Sequence, residues 1–135
     1  MVKRLTSRLN MSKIFGIGTD LVEIERIREA VTRHGESFAE KLFTEKERAY
    51  CQTHRDPIPR YAGRFAAKEA IVKALGVGFG KEAGFHDIEI LANEDGKPEV
   101  FLSGSLKEEF FDHEILITIT HSKDLAQAFA ICQET

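Results

Sequence analysis

Two acidic residues in this 135-residue chain stand where a divalent cation could be held. Asp20 follows a short β-prone stretch, Lys13-Ile14-Phe15-Gly16-Ile17-Gly18, and precedes apolar residues at helical spacing. Glu69 lies inside the longest helical pattern, with Lys73 one turn further along. A carboxylate at a strand end, met by one from a neighbouring helix, suits Mg²⁺. That ion takes one or two carboxylates and completes its shell with phosphate oxygens and water. Each residue also has a plain structural use. Asp20 can cap the helix that follows it. Glu69 and Lys73 can form a surface i,i+4 pair worth about 0.3–0.5 kcal/mol. Spacing alone leaves both uses open.

Other chemistry is narrowed by what the sequence lacks. His34, His54, His86, His113 and His121 include no His-x-x-x-His pair, and Cys51 and Cys132 stand far apart. A zinc site therefore has poor support. No Gly-x-Ser-x-Gly elbow occurs. Gly16-Ile17-Gly18 has the strand-to-helix context of a dinucleotide fingerprint, but Leu21 replaces the third glycine and no βαβ unit follows. Gly76-Val77-Gly78-Phe79-Gly80 lies at a helix C-terminus, where the macrodipole is negative and wrong for a phosphate cradle. Those glycines either end the helix in a flexible loop or let backbone approach an extended ligand.

The elements that must position these residues follow from periodicity and punctuation. A helix is expected over about 21–34, capped by Thr19 or Asp20 and stopped by Gly35. A short helical turn near 37–42 follows, and Thr44-Glu45-Lys46-Glu47 reads as a capping box opening a helix to about Thr53. Asp56-Pro57-Ile58-Pro59 breaks the chain. From about Arg60 to Leu75 runs the alanine-rich helix that carries Glu69, with Ala66, Ala67, Ala70, Ile71 and Ala74 on one broad face. Strands are expected over 85–91 and 99–102, joined by a turn at 93–96, and over 114–120 and 126–132. Between these pairs Ser103 can cap a helix to Phe111. The order predicts one α+β domain over residues 13–135, a mostly antiparallel sheet packed with helices. Residues 1–12 hold Lys3, Arg4 and Arg8 with no acid and no apolar core, so a disordered basic extension is expected rather than a signal peptide.

Composition sets the outer limits. Nineteen basic against 22 acidic residues give a net charge of −3, which argues against a general nucleic-acid binder. No apolar run approaches the ~18 residues of a membrane span. Two cysteines are too few for a disulfide framework. A soluble, intracellular single domain is expected.

Longer motifs carry a resemblance. Gly18-Thr19-Asp20-Leu21-Val22-Glu23-Ile24-Glu25-Arg26-Ile27 resembles the first signature of the 4′-phosphopantetheinyl transferases, in their bacterial holo-acyl-carrier-protein synthase form. Phe65-Ala66-Ala67-Lys68-Glu69-Ala70-Ile71-Val72-Lys73-Ala74-Leu75-Gly76 resembles the second, and the glycines through Gly80 continue it. Ile119-Thr120-His121-Ser122 is a third echo. The similarity runs from about Ile14 to Ile131. It implies transfer of phosphopantetheine from coenzyme A to a serine of apo acyl carrier protein, releasing adenosine 3′,5′-bisphosphate.

That resemblance also implies roles. Asp20 and Glu69 become Mg²⁺ ligands, while Lys68 and Lys73 face phosphates. His121 with Ser122 contacts the coenzyme, and Gly76 and Gly78 flank the pantetheine arm. The serine proton goes to Glu69 through a metal-bound water, to Glu23 directly, or to phosphate itself. Arg26 and Arg33, seven apart on one helix face, would dock an acidic carrier protein, although Glu29 could instead pair with Arg33. The family form is a cytoplasmic homotrimer with sites between subunits. Two rival readings remain: a non-catalytic module that binds coenzyme A or carrier protein, and a Mg²⁺-dependent hydrolase of nucleotide pyrophosphates.

Overall fold

The computed structural model describes residues 13–80 and 82–135; the expected basic extension, 1–12, lies outside them. Strand β1 (Lys13–Glu23) pairs antiparallel with β5 (Leu125–Glu134), which pairs in turn with β4 (His113–His121). A second sheet is the hairpin of β2 (Ile88–Ala92) and β3 (Pro98–Leu102). The helices are α1 (Ile24–His34), α2 (Glu36–Leu42), α3 (Glu45–Gln52), α4 (Ile58–Leu75) and α5 (Gly104–Glu109). Antiparallel sheets packed with helices make this the α+β class that the sequence predicts. Among the described residues no helix is long and apolar enough to cross a membrane.

The core is α4 laid on the three-stranded sheet. Ala126, Ala128, Ala130 and Cys132 of β5 are buried beneath it, and Ala66, Ala67, Ala70 and Ala74 of α4 are buried from above. Such small side chains let helix and sheet approach closely. At β1 the approach is closer still. A Cβ added at Gly16 would lie 2.0 Å from the Ala74 carbonyl oxygen, and one at Gly18 would lie 2.0 Å from that of Ala70. The Gly-x-Gly pair is thus a packing contact, which explains why it matches a nucleotide fingerprint so poorly. Two residues along β1, about 6.7 Å, match four along α4, about 6 Å. The elements run antiparallel, and one more such step brings Asp20 level with Ala66.

The sequence reading and the structure part company at the end of β1. The strand continues to Glu23, with Thr19 to Glu23 paired against Phe129 to Leu125 of β5. Neither Thr19 nor Asp20 caps α1; Glu23 holds that position without a side-chain bond. Long-range pairing overrides the local helical spacing of 21–23. Elsewhere local signals hold. At α3 the capping box forms in full: Thr44 Oγ1 accepts from the Glu47 amide at 3.2 Å, and Glu47 Oε1 accepts from the Thr44 amide at 2.8 Å. Gly76 ends α4 in the left-handed conformation at φ 74°. Phe85–Asp87 is a 3₁₀ turn before β2, where a strand is expected, because Asp87 Oδ2 accepts from the Gly84 amide at 2.9 Å. Helix α1 is tied to the start of α4 by Arg28, whose two Nη groups donate to the Asp56 carboxylate at 3.2 and 2.7 Å.

A methyl group at Gly18 must push β1 off α4. Gly18→Ala should therefore cost about 1–3 kcal/mol and lower the melting temperature by several degrees in calorimetry. An unchanged melting temperature would sink the close-approach account of this residue.

Candidate active site

Where β1 hands over to α1, the strand, α1, α2 and α4 enclose a cleft of about 530 Å³. Asp20, Glu23, Arg26, Phe38, Phe65 and Glu69 are on its walls. Asp20 reaches it from the inner face of β1, on the same side as buried Gly18 and Val22. Glu69 reaches it from α4, half-buried beside the Ala66–Ala70 stripe. Burial pushes the Glu69 carboxyl above the usual carboxylate range, and the negative charge of Asp20 pushes it the same way; Lys73 opposes both. A carboxylate whose proton affinity is raised by a second one beside it marks a place for positive charge.

Lys73 supplies some of it. Its Nζ donates to the Thr19 carbonyl at 2.9 Å and lies 3.5 Å from Asp20 Oδ1. The i,i+4 pair with Glu69 does not form among the described residues; Lys73 reaches across to β1 instead. No group of three or more His, Cys, Asp or Glu side chains among those residues could hold a metal. The cleft therefore lacks the ligands of a closed protein cage. A carboxylate pair suits Mg²⁺, which draws its remaining oxygens from water and substrate phosphate.

The other expected residues scatter. Glu23 sits on the rim, 3.3 Å from Arg26 Nε, and both side chains are largely exposed. Arg33 is exposed about 10 Å further along α1, and no ion pair joins it to Glu29 among the described residues. Gly78 is exposed; its amide donates to Glu82 Oε2 at 2.9 Å, and a Cβ there would meet nothing within 4 Å. The loop from Gly76 folds back on α4, since Phe79 stacks on Phe85 at 3.8 Å and Phe85 on Phe65 of the cleft at 6.0 Å. Ser122 is a turn residue whose Oγ accepts from the Leu125 amide at 3.2 Å.

Lys68 corrects the sequence reading outright. Its ammonium is fully buried and donates to Glu47 Oε1 at 2.7 Å, the Leu42 carbonyl at 2.7 Å and the Phe85 carbonyl at 2.9 Å. Burial pulls its pKa below the usual lysine value, and Glu47 opposes that. One residue from Glu69 is about 100° around the helix, which turns Lys68 away from the cleft into the packing of α2, α3 and the 3₁₀ turn. It cannot face a phosphate from there.

His121 ends β4, and its Nε2 accepts from Arg60 Nη1 at 3.0 Å. Sequence reasoning missed Arg60, because its partner lies 61 residues away and no local pattern joins them. Arg60 precedes Glu69 by nine residues on α4, about 13 Å along the axis. The Arg60–His121 pair is thus not a wall of the Asp20–Glu69 cleft within one chain. The outer face of the sheet carries Ile17 at 61% exposure, Leu21 at 59%, Leu116 at 43% and Phe129 at 39%.

Comparison with known proteins gives the family of the chain. A model of the 4′-phosphopantetheinyl transferase superfamily matches residues 16–132. A holo-[acyl-carrier-protein] synthase of Protochlamydia amoebophila is 45% identical over 116 residues, covering 86% of this chain and 95% of the relative. The crystal structure of holo-[acyl-carrier-protein] synthase from Neisseria meningitidis superimposes with a TM-score of 0.81 at 33% identity, over 89% of this chain and 98% of that one. That of the Helicobacter pylori synthase in complex with coenzyme A gives 0.79 at 35% identity, over 86% and 98%. The chain belongs to the 4′-phosphopantetheinyl transferase superfamily.

Proposed function

We propose that this chain is a Mg²⁺-dependent holo-acyl-carrier-protein synthase working at the Asp20–Glu69 cleft. It transfers 4′-phosphopantetheine from coenzyme A to a serine of apo acyl carrier protein and releases adenosine 3′,5′-bisphosphate. The observation that carries the reading is the convergence of Asp20 and Glu69, from β1 and α4, in one cleft beside Lys73. Curated relatives bear the same activity in their names, and the Helicobacter pylori relative was solved with coenzyme A.

The serine oxygen attacks the phosphorus on the pantetheine side. The bond from that phosphorus to the bridging oxygen breaks, and the bisphosphate leaves with the bridging oxygen. Asp20 and Glu69 would hold Mg²⁺, which when bound polarises the pyrophosphate and offsets the charge gathering on its oxygens. Lys73 brings a second positive charge to the same side. It is half-exposed and only 3.5 Å from Asp20, so it can turn to a phosphate oxygen at little cost. The serine proton would pass to Glu69 through water, to Glu23 on the rim, or to phosphate itself. The Phe79–Phe85–Phe65 stack leads the glycine loop to the cleft wall, where the pantetheine arm runs along exposed backbone near Gly76 and Gly78.

Arg26 is the nearer docking residue for an acidic carrier protein, since it shares the rim with Glu23 while Arg33 stands further off. The coenzyme's 3′-phosphate would meet Arg60, His121 and Ser122 of a neighbouring copy in a homotrimer. Two features support that assembly: the apolar outer sheet face and the ~13 Å between Arg60 and Glu69 along α4.

Asp20→Asn and Glu69→Gln keep shape and remove charge. Each should leave the melting temperature near that of the unaltered protein and lower turnover at least about a hundredfold, or ~2.7 kcal/mol of barrier. Incubation with coenzyme A, Mg²⁺ and apo carrier protein, followed by assay of the bisphosphate, checks this. Bisphosphate made equally well without carrier protein would instead support a pyrophosphate hydrolase. Near-normal turnover of Glu69→Gln would remove it from the site.

Arg26→Glu reverses a local attraction. The KM for carrier protein should rise about tenfold or more and that for coenzyme A stay within about twofold; added salt should weaken the unaltered enzyme's use of carrier protein, since exposed charges are screened beyond ~8–10 Å. Equal losses for both substrates would point to damage in the cleft.

Shared sites can be tested by mixing. Asp20→Asn and His121→Ala proteins, each poorly active, are unfolded and refolded together in equal amounts. Random assortment in a ring with unlike interfaces leaves about a quarter of the sites intact. Recovery of about that share of normal activity is expected. No recovery, with subunit exchange proved by mass, would place His121 and Asp20 in one chain's site.

A further inference from the structure

The buried Lys68–Glu47 pair takes no part in the chemistry above, yet it ties α4 to α2, α3 and the 3₁₀ turn, and α4 and α2 are two of the elements that wall the cleft. A lysine ammonium has three N–H donors, and here all three have acceptors on three different segments. Leu42 ends α2, Glu47 belongs to α3, and Phe85 opens the 3₁₀ turn before β2. Glu47 is pinned in turn: Oε1 also accepts from the Thr44 amide at 2.8 Å, and Oε2 accepts from the Ile90 amide at 2.9 Å. Neither charge can swing without leaving buried polar groups unpaired.

Lys68 itself and two of those tethers lead to the site. Lys68 immediately precedes Glu69 on α4, so its direction sets that of Glu69 around the helix. Leu42 is one turn beyond Phe38, which is on the cleft wall. Phe85 is stacked between Phe65 of the wall and Phe79 of the glycine loop. An apolar pair of similar volume would serve stability as well or better, because desolvation cancels most of a buried pair's attraction. What the charges add is direction.

We propose that Lys68, locked by Glu47, is a positioning residue: it fixes the rotation of α4 and the Phe65–Phe85–Phe79 stack, so that Glu69 faces Asp20 and the glycine loop stays ordered against the cleft. The catalytic half of this rests on the transferase reading; the structural half does not.

The test separates order from stability. Lys68→Met alone strands the buried Glu47 carboxylate and should unfold at much lower temperature. Lys68→Met combined with Glu47→Gln removes both charges and should recover most of that loss. Hydrogen exchange is then followed at Gly80 and Asp87, whose amides donate to Ala83 and Gly84 at 2.7 and 3.0 Å, and at amides inside α4. In the double variant the α4 amides should return to near-normal protection. Gly80 and Asp87 should still exchange about tenfold faster or more, as a locally opened loop does. Turnover with coenzyme A and carrier protein should stay down about tenfold or more.

Phe85→Leu breaks the stack while keeping the carbonyl that Lys68 uses. It should reproduce the loop exchange and the loss of turnover, and it decides the matter should the double variant fail to fold. Normal exchange at Gly80 and Asp87 in a stable variant overturns the proposal. So does faster exchange with unchanged turnover. If the unaltered protein transfers no phosphopantetheine at all, the transferase reading fails by itself, and the exchange comparison still decides whether Lys68 orders the loop.

Discussion

A helix can lie no closer to a strand than the side chains between them allow, and along β1 there are almost none. At Gly16 and Gly18 the strand backbone meets the Ala74 and Ala70 carbonyls at a separation that excludes even a methyl group. This contact sets the distance, direction and register of α4 on the sheet. Two consequences reach the cleft. Asp20, the next inward residue of β1, comes level with Ala66, within a turn of Glu69. Lys73, on the neighbouring turn, can reach over to the Thr19 carbonyl at 2.9 Å. The convergence of acid, acid and lysine is thus a by-product of backbone contact. Side chains of ordinary size along β1 would hold the two carboxylates further apart.

The parts of this that were legible in the sequence are those decided locally. The Thr44–Glu47 capping box depends on residues three apart, and it forms as expected. The stop at Gly76 needs only a left-handed residue after an alanine-rich helix. The hairpin of β2 and β3 is written in its turn. Asp20 and Glu69 were visible as candidates, one at a strand end and one inside the longest helical pattern, but spacing could not bring them together. The resemblance to a family did that, and the geometry of the cleft agrees with it.

The illegible parts share a physical cause: a partner distant in sequence. Residues 19–23 read as the start of a helix, yet they extend β1 because β5, more than a hundred residues later, offers them a ladder. Arg60 and His121 gave no joint signal for the same reason. Lys68 is more instructive. On an amphipathic helix a lysine flanked by alanine and glutamate belongs to the solvent side, but thirteen of the eighteen residues of α4 are buried. A helix enclosed on most of its circumference has too little outer face to hold its charges. One lysine goes inward, and Glu47 of the neighbouring helix goes with it.

Lys68 and Lys73 therefore divide the work of positive charge by burial. Lys68 is fully enclosed, with every proton bound to a fixed acceptor, so it can orient but cannot respond. Lys73 has 54% of its side chain exposed, one bond to the Thr19 carbonyl at 2.9 Å and a longer contact to Asp20, so water can replace its partners. Their Coulomb energies differ in the same sense, because water screens the second and hardly reaches the first. Exchanging the two environments would leave the cleft neither shaped nor charged. A buried ammonium behind Glu69 and a solvent-exposed one beside Asp20 let the same helix fix its own rotation while it keeps positive charge at the edge of the cleft.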